Sequence, residues 1–378
     1  MRVSRLKIKN WRNFAEADFP IGDRVFIIGP NASGKSNLLD VFRFLKDVCS
    51  LGLAKSVVDL RGGVTQLRCV AARRYPDIHV EVQLSEDAGA PAFSYTLVFN
   101  QDNNSRPIVK KEEAIVGTKV ELSRPDSDDR DDPLRLMYTA LEQVVANKKF
   151  RQIPEFLKTI SYQHLLPQVI RDPRGFSAAP VRDDPFGRDF LLRLWQTNKN
   201  VRESRLQKIN AALRVAVPQL VDIRIEMDTA GVPHLVGGYQ SWRPNPSRQY
   251  ERQFSDGTLR LLGLLWTAFE GEGPLLLEEP EISLHPAVVK FIPVMLEQIQ
   301  RSRKIRRQLI ISTHSSDMLG HHGIGAEEII LLEPTKQGTV VQVATSQDKK
   351  KIRAGLSVAD VMLPKSTPSR IEQLAFVF

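Results

Sequence analysis

An α/β fold around a parallel central sheet is predicted for this 378-residue chain, on three observations. First, the apolar run Val25-Phe26-Ile27-Ile28 enters the glycine-rich stretch Gly29-Pro30-Asn31-Ala32-Ser33-Gly34-Lys35-Ser36. A helical pattern leaves it, with Leu38, Val41 or Phe42, and Leu45 on one face. Second, the apolar run Pro274-Leu275-Leu276-Leu277 stops abruptly at the paired acids Glu278-Glu279-Pro280. Third, the run Leu309-Ile310-Ile311-Ser312-Thr313 ends at His314. Short apolar runs of this kind suit strands buried on both faces, as parallel strands are.

The first stretch satisfies G-x-x-x-x-G-K-[ST] at every required position, in the strand–loop–helix context that the pattern needs. Its glycines let the backbone wrap closely around phosphates, whose charge sits at a helix N-terminus. Lys35 reaches the β- and γ-phosphates, and the Ser36 hydroxyl holds Mg²⁺, so ATP and Mg²⁺ are the expected ligands. At a strand tip beside that loop, Glu278 coordinates Mg²⁺ through water, and Glu279 is the general base or water-positioner. His314 follows in the place of a γ-phosphate-sensing histidine. Phe254-Ser255-Asp256-Gly257-Thr258 precedes an apolar run from Leu259 to Leu265. It offers either a plain N-cap or a second anion-binding helix end.

In order along the chain, these features resemble the ABC-type ATPase heads of the RecF, SMC and OLD-like families. The likeness is strongest to small standalone bacterial AAA-family ATPases akin to the ATPase half of OLD proteins. The phrases that carry it are Gly-Pro-Asn-Ala-Ser-Gly-Lys-Ser-Asn-Leu-Leu-Asp, Ser-Asp-Gly-Thr-Leu-Arg, Glu-Glu-Pro-Glu and Ser-Thr-His-Ser. The resemblance makes 29–36 Walker A, Ser255-Asp256-Gly257 the signature, Glu278 and Glu279 Walker B with the catalytic glutamate, and His314 the switch histidine. It puts Ser283-Leu284-His285-Pro286 at the D-loop, and it adds Asn37 and Arg12 to the nucleotide-binding set. The signature departs from the Ser-Gly-Gly-Gln of transporter subunits, and Glu278 stands where many relatives have aspartate. Gln83 and Gln163 both remain open as the Q-loop residue.

The implied fold is a P-loop NTPase, an ABC-type head with an antiparallel β subdomain and an inserted helical lid. Residues 1–117 form the first lobe, with strand-like runs at 78–84, 93–100 and 107–116. Residues 118–217 form a helical insertion, whose acid-rich start at 123–132 reads as an exposed loop. An amphipathic helix begins at Arg188, and strands return over 219–237. Residues 218–345 complete the head, and 346–378 form a short tail. No segment sustains heptads, and there is no room after the head for the Toprim nuclease domain that OLD proteins carry.

Hydrophobic residues make up 42% of the chain, enough for a full core, and the formal net charge is +9. The basic groups Arg301, Arg303, Lys304, Arg306 and Arg307, then Lys349-Lys350-Lys351, then Arg171, Arg174, Arg182 and Arg188 are each either a solvated face or a phosphate-binding surface. No apolar run is long enough for a membrane helix, and Met1-Arg2-Val3-Ser4 starts a strand, not a signal peptide. Two cysteines, Cys49 and Cys69, give no disulfide framework. These features point to the cytoplasm. The expected activity is an Mg²⁺-dependent ATPase that dimerises on ATP and acts in DNA repair or anti-phage defence. Expected partners are a second copy of the chain, DNA and a separately encoded effector. The alternative is a nucleotide-sensing scaffold that controls a partner protein without binding DNA.

Overall fold

The computed structural model describes residues 1–71, 76–86, 91–172, 184–242 and 244–367. Arg174, Arg182 and the closing Phe376-Val377-Phe378 lie outside that set.

The chain opens as a hairpin of β1 (Arg2–Trp11) and β2 (Phe14–Pro20), then enters β3 (Arg24–Ile28). After the phosphate loop and the Lys35–Leu51 helix come β4 (Ile78–Ser85), β5 (Phe93–Gln101), β6 (Pro107–Val116) and β7 (Lys119–Arg124). These join the hairpin in an antiparallel sheet of order β2-β1-β4-β5-β6-β7. The sheet runs one strand past residue 117, because β6 and β7 pair as a hairpin about Gly117.

Short helices and β8 (Ser161–Gln163) follow, then the long Lys199–Ala216 helix. A small sheet is made of β9 (Leu220–Met227), β10 (Pro233–Tyr239) and β11 (Ser247–Tyr250). The Asp256–Phe269 helix leads to β12 (Leu275–Glu278), and β13 (Leu309–Ser312), β14 (Ile329–Thr335) and β15 (Gly338–Val343) complete the strands of the described residues. The central sheet has the order β15-β14-β3-β13-β12-β8, parallel throughout except where β15 turns back on β14.

The apolar runs fill both faces of this sheet with the period of two that a strand imposes. Val25, Ile27, Leu276 and Ile310 pack into a core shared with the Lys35–Leu51 helix and the antiparallel sheet. Phe26, Ile28, Leu275, Leu277 and Ile311 pack into a second core with Leu259, Leu262, Leu265 and Trp266 of the Asp256–Phe269 helix. The sheet therefore holds the phosphate-loop helix and the signature helix on opposite faces, with their chemistry directed to the carboxyl ends of the strands.

Two expectations change. The acid-rich 123–132 stretch is not an exposed loop: Asp126 caps a helical turn over Ser127–Asp131, and Asp129 is buried. Arg124 lies between Glu112 at 3.0 Å and Asp129 at 2.7 Å, so paired charges allow burial where composition alone suggests solvation. Residues 346–366 are also packed: Val358 and Met362 of the Val358–Ser366 helix enter the second core, and Lys365 pairs with Asp348 at 2.7 Å.

Candidate nucleotide site

The phosphate loop is braced from outside itself. Gly34 caps the Lys35–Leu51 helix at φ 98°, and a Cβ there would collide with the Asn13 side chain. Asn13 Nδ2 donates to Ser33 O at 2.8 Å and to Thr339 Oγ1, while Thr339 Oγ1 donates to the same carbonyl at 2.9 Å. Asn37 Nδ2 donates to Asn13 Oδ1 at 2.8 Å, and Trp11 Nε1 donates to Asn37 O at 3.0 Å. The turn after β1 and the start of β15 thus fix the loop before a ligand arrives.

Lys35 is buried and donates to Gly29 O at 3.2 Å and Pro30 O at 3.3 Å, both in its own loop. Burial pushes its pKa down, and Glu279, Glu278 and Glu281 work against that shift. Ser36 Oγ donates to Glu278 Oε1 at 2.5 Å, across from helix to strand tip. The other oxygen, Glu278 Oε2, accepts from Tyr162 Oη at 2.5 Å, and His164 Nδ1 lies 3.1 Å from the Glu278 carbonyl. Burial, then the Glu278 carboxylate, raises the Tyr162 pKa, so the phenol stays a donor. Arg43 stacks on its ring at 4.3 Å.

Glu279 adopts φ 44°, the left-handed region, and its N–H is held by Ser312 O at 3.0 Å. A non-glycine residue held there is strained, and such strain collects at functional sites. Its Oε1 lies 3.3 Å from His314 Nε2. Burial and the Lys35 charge lower the His314 pKa, against the pull of Glu279, which favours a neutral imidazole at pH 7. Glu281 Oε1 accepts from Thr313 Oγ1 at 2.6 Å and from His314 N at 3.1 Å, and so positions the histidine's backbone. Its Oε2 is buried with no hydrogen-bond partner.

Loop residues 29–36, Lys35, Ser36, Glu278, Glu279 and His314 thus meet at one end of the central sheet. The signature stands apart from them. Ser255 Oγ caps its helix through Thr258 N at 3.1 Å, and Asp256 is held by Arg171 at 2.5 Å and Gln168 at 3.1 Å. Gly257 lies against the D-loop turn, where a Cβ would come within 2.9 Å of Ser283 O. Among the described residues, no hydrogen bond or ion pair of Ser255, Asp256 or Gly257 reaches the phosphate loop. Arg12 pairs at 3.1 Å with Asp40, a buried residue of the loop helix that Arg61 also holds at 2.8 Å. Of the two glutamines, Gln83 sits on β4, beside Arg5 of β1. Gln163 sits on β8 beside Leu277, and alternation turns it from the face where Tyr162 meets Glu278.

Sequence reasoning passed over Tyr162, His164, Glu281, Arg260 and the Asn13–Thr339 brace. Tyr162 precedes one of the two candidate glutamines, but a three-residue strand leaves no readable period. Glu281 belongs to the Glu-Glu-Pro-Glu phrase itself. Arg260 is 4% exposed on the signature helix, with Nε and Nη1 lacking any acceptor.

The donor set fits Mg²⁺: Ser36 and Glu278 present hard oxygens to one another beside a phosphate-binding loop. Ser36 and Glu278 would hold the ion, which when bound would neutralise phosphate charge.

The family profile described as "AAA domain, putative AbiEii toxin, Type IV TA system" matches residues 24–319. A short segment of 56 residues is 43% identical to the DNA replication and repair protein RecF of Desulforamulus reducens, spanning 15% of this chain and 15% of that protein. Among solved structures, an SMC head bound to the C-terminal winged-helix domain of ScpA aligns over 92% of this chain and 99% of its own, at 14% identity and a TM-score of 0.55. An SMC head with an extended coiled coil from Pyrococcus furiosus, bound to the C-terminal domain of ScpA, aligns over 93% and 98%, at 11% identity and a TM-score of 0.51. At those identities the likeness is one of fold: a P-loop NTPase head. No helix among the described residues is long and apolar enough to cross a membrane.

Proposed function

The chain belongs to this AAA-domain family, and from that footing we propose that it is an ATP-hydrolysing switch that closes as a dimer on nucleotide. The observation that carries the reading is the separation of two half-sites. The phosphate loop, acids and histidine are assembled at one place, while the Ser255–Gly257 helix end is capped at the D-loop turn and, among the described residues, makes no hydrogen bond or ion pair to the phosphate loop. A helix N-terminus of that kind suits a γ-phosphate brought by another subunit.

In this reading the buried Lys35 leaves the carbonyls of Gly29 and Pro30 for the β- and γ-phosphates of ATP. Glu279 takes a proton from the attacking water, and neutral His314 orients Glu279 and senses the phosphate. Glu278, gripped by Ser36 and Tyr162, keeps its carboxylate at the metal position. Moving a pair of heads from mostly open to mostly closed needs about 5.5 kcal/mol of differential binding. Charge-assisted hydrogen bonds of roughly 1.5–3 kcal/mol each, several per site, are sufficient.

The output is a DNA transaction in repair or in anti-phage defence, through an effector encoded separately. The toxin–antitoxin wording of the family's description favours defence. The same wording supports a second reading, a nucleotide-sensing scaffold that governs a partner protein without touching DNA; a partner that stimulates hydrolysis well above the basal rate distinguishes it. The cytoplasm is the proposed location.

Mixing two defective chains tests the switch. Lys35→Ala kills the phosphate loop and spares the signature; Ser255→Arg does the reverse. Their mixture should recover part of the ATPase activity that each lacks, because a heterodimer holds one intact composite site. Normal turnover by Ser255→Arg alone would overturn the dimer mechanism.

A further inference from the structure

Away from the nucleotide site, the Lys199–Ala216 helix carries Arg202, Arg205 and Lys208 at three-residue intervals. Each cation lies against an aromatic face. Arg202 is 4.8 Å from the Trp195 ring centre, Arg205 is 5.4 Å from Trp266, and Lys208 is 5.6 Å from Phe269. Arg202 also donates from Nη1 to the carbonyls of Trp195 and Thr197, whereas at Arg205 and Lys208 the ring face holds the cation without using its hydrogen-bond donors. Across from this helix, the 302–305 loop brings Arg303 and Lys304 to the opposite wall of a cleft of about 680 Å³. Ser204 and the carboxylate of Glu272 also line it.

The charges in the cleft do not balance: Arg205, Lys208, Arg303 and Lys304 face one Glu272. Arg303 is committed through all three nitrogens: Nη1 donates to Phe269 O at 2.7 Å and Ala268 O at 3.2 Å at the end of the signature helix, Nη2 to Gly271 O and Nε to Ile305 O at 3.2 Å, so it lends the cleft its charge. Burial lowers the pKa of both arginines, and Arg205 repels Arg303 further. Glu270, which acts on Arg205, and Glu272, which acts on Arg303, offset only part of this positive charge, and an anion in the cleft would relieve the rest. The cations form a row rather than a converging pocket. Arg205 and Lys208 on the helix face Arg303 and Lys304 on the loop, and exposed Arg306 extends the line beyond the cleft. A row suits a repeating polyanion better than a single small one.

We propose that this cleft docks the phosphate backbone of a nucleic acid. The assignment rests on the DNA-directed reading above and names its surface. The cleft lies where β12 and β13 begin, at the end of the central sheet opposite Lys35 and Glu278. Changes there should therefore spare hydrolysis.

The test uses the full chain with ATP and Mg²⁺, and anisotropy of a labelled duplex and a labelled single strand across a salt series. ATPase rates are measured on the same samples. Arg205→Gln/Lys208→Gln should weaken binding about tenfold or more, and should reduce the slope of log K against log salt by about 2. Its ATPase rate should match the wild type. Undiminished binding by the double variant overturns the site and leaves DNA binding standing elsewhere. Polyglutamate that displaces the probe as well as unlabelled DNA does overturns it in favour of an acidic protein. A wild-type chain that hydrolyses ATP but binds neither probe overturns this proposal together with the DNA half of the function, while leaving the ATPase switch intact.

Discussion

Replacing Arg260 with methionine should make the protein more stable and less active. Arg260 stands one turn beyond Gly257, on the face that Gly257 presents to the Ser283 carbonyl. It therefore overlooks the turn that carries Glu279 and Glu281. Two of its nitrogens, Nε and Nη1, are buried without an acceptor, and burial pushes its pKa down against the pull of Glu281, Asp256 and Glu279. A buried donor left unpaired costs about 1–3 kcal/mol. Methionine keeps most of the side-chain packing and removes both donors. Two such donors cost about 2–6 kcal/mol together, and the lost attraction to the three carboxylates offsets part of that, so the net gain should be about 1–3 kcal/mol. At about 2.1 cal/mol/K of unfolding entropy per residue, a chain of this length shifts its midpoint by only about 1.3 °C per kcal/mol. Urea denaturation, read as a higher midpoint at unchanged slope, is the better assay. Turnover should fall about tenfold, about 1.4 kcal/mol in barrier, with ATP affinity unchanged. The reason is that Arg260 is the charge on the signature helix that faces Glu281, which positions His314. A variant that is less stable, or one that hydrolyses ATP at the normal rate, would refute the argument.

Three more outcomes follow from the same geometry. Glu279→Gln should bind ATP, trap the dimer on a sizing column and lose roughly 10²–10⁴-fold in turnover; if Glu278→Gln traps the dimer and Glu279→Gln turns over normally, the roles are reversed. Arg124→Leu leaves Glu112 and Asp129 buried without their cation and should cost about 3–5 kcal/mol by urea denaturation, a loss under about 1 kcal/mol being incompatible with the paired burial. His234 lies between Glu251 at 2.7 Å and Asp228 at 3.3 Å. Burial opposes its charge, but the bonds and charges of these two acids outweigh burial and raise its pKa. Its stabilising contribution should be complete below about pH 6.5 and fade as pH rises through the raised value; His234→Gln should flatten that part of the stability curve, and an unchanged curve would exclude the effect.

The parallel sheet and the clustering of the residues at its strand ends were legible because the chain writes them locally. Val25–Ile28, Leu275–Leu277 and Leu309–Ile311 are buried on both faces, so each must be an unbroken apolar run, and the runs end where the glycine-rich loop, the paired acids and His314 come together. Lys35, Ser36, Glu278, Glu279 and His314 needed only their place at those strand ends. What tertiary structure decided depends on partners far apart in sequence. Glu278 is held by Tyr162 from 116 residues away, and the phosphate loop is braced by Thr339 from 306 residues away. Neither side chain belongs to a period or a spacing. Charge behaved the same way. Arg124 and Asp129 read as solvated until Glu112 is brought to them, and Arg307 of the basic 301–307 run is buried on the carbonyls of Gly273 and Thr267. A charge's environment is set by what folds around it, whereas an apolar run carries its own reason to be buried.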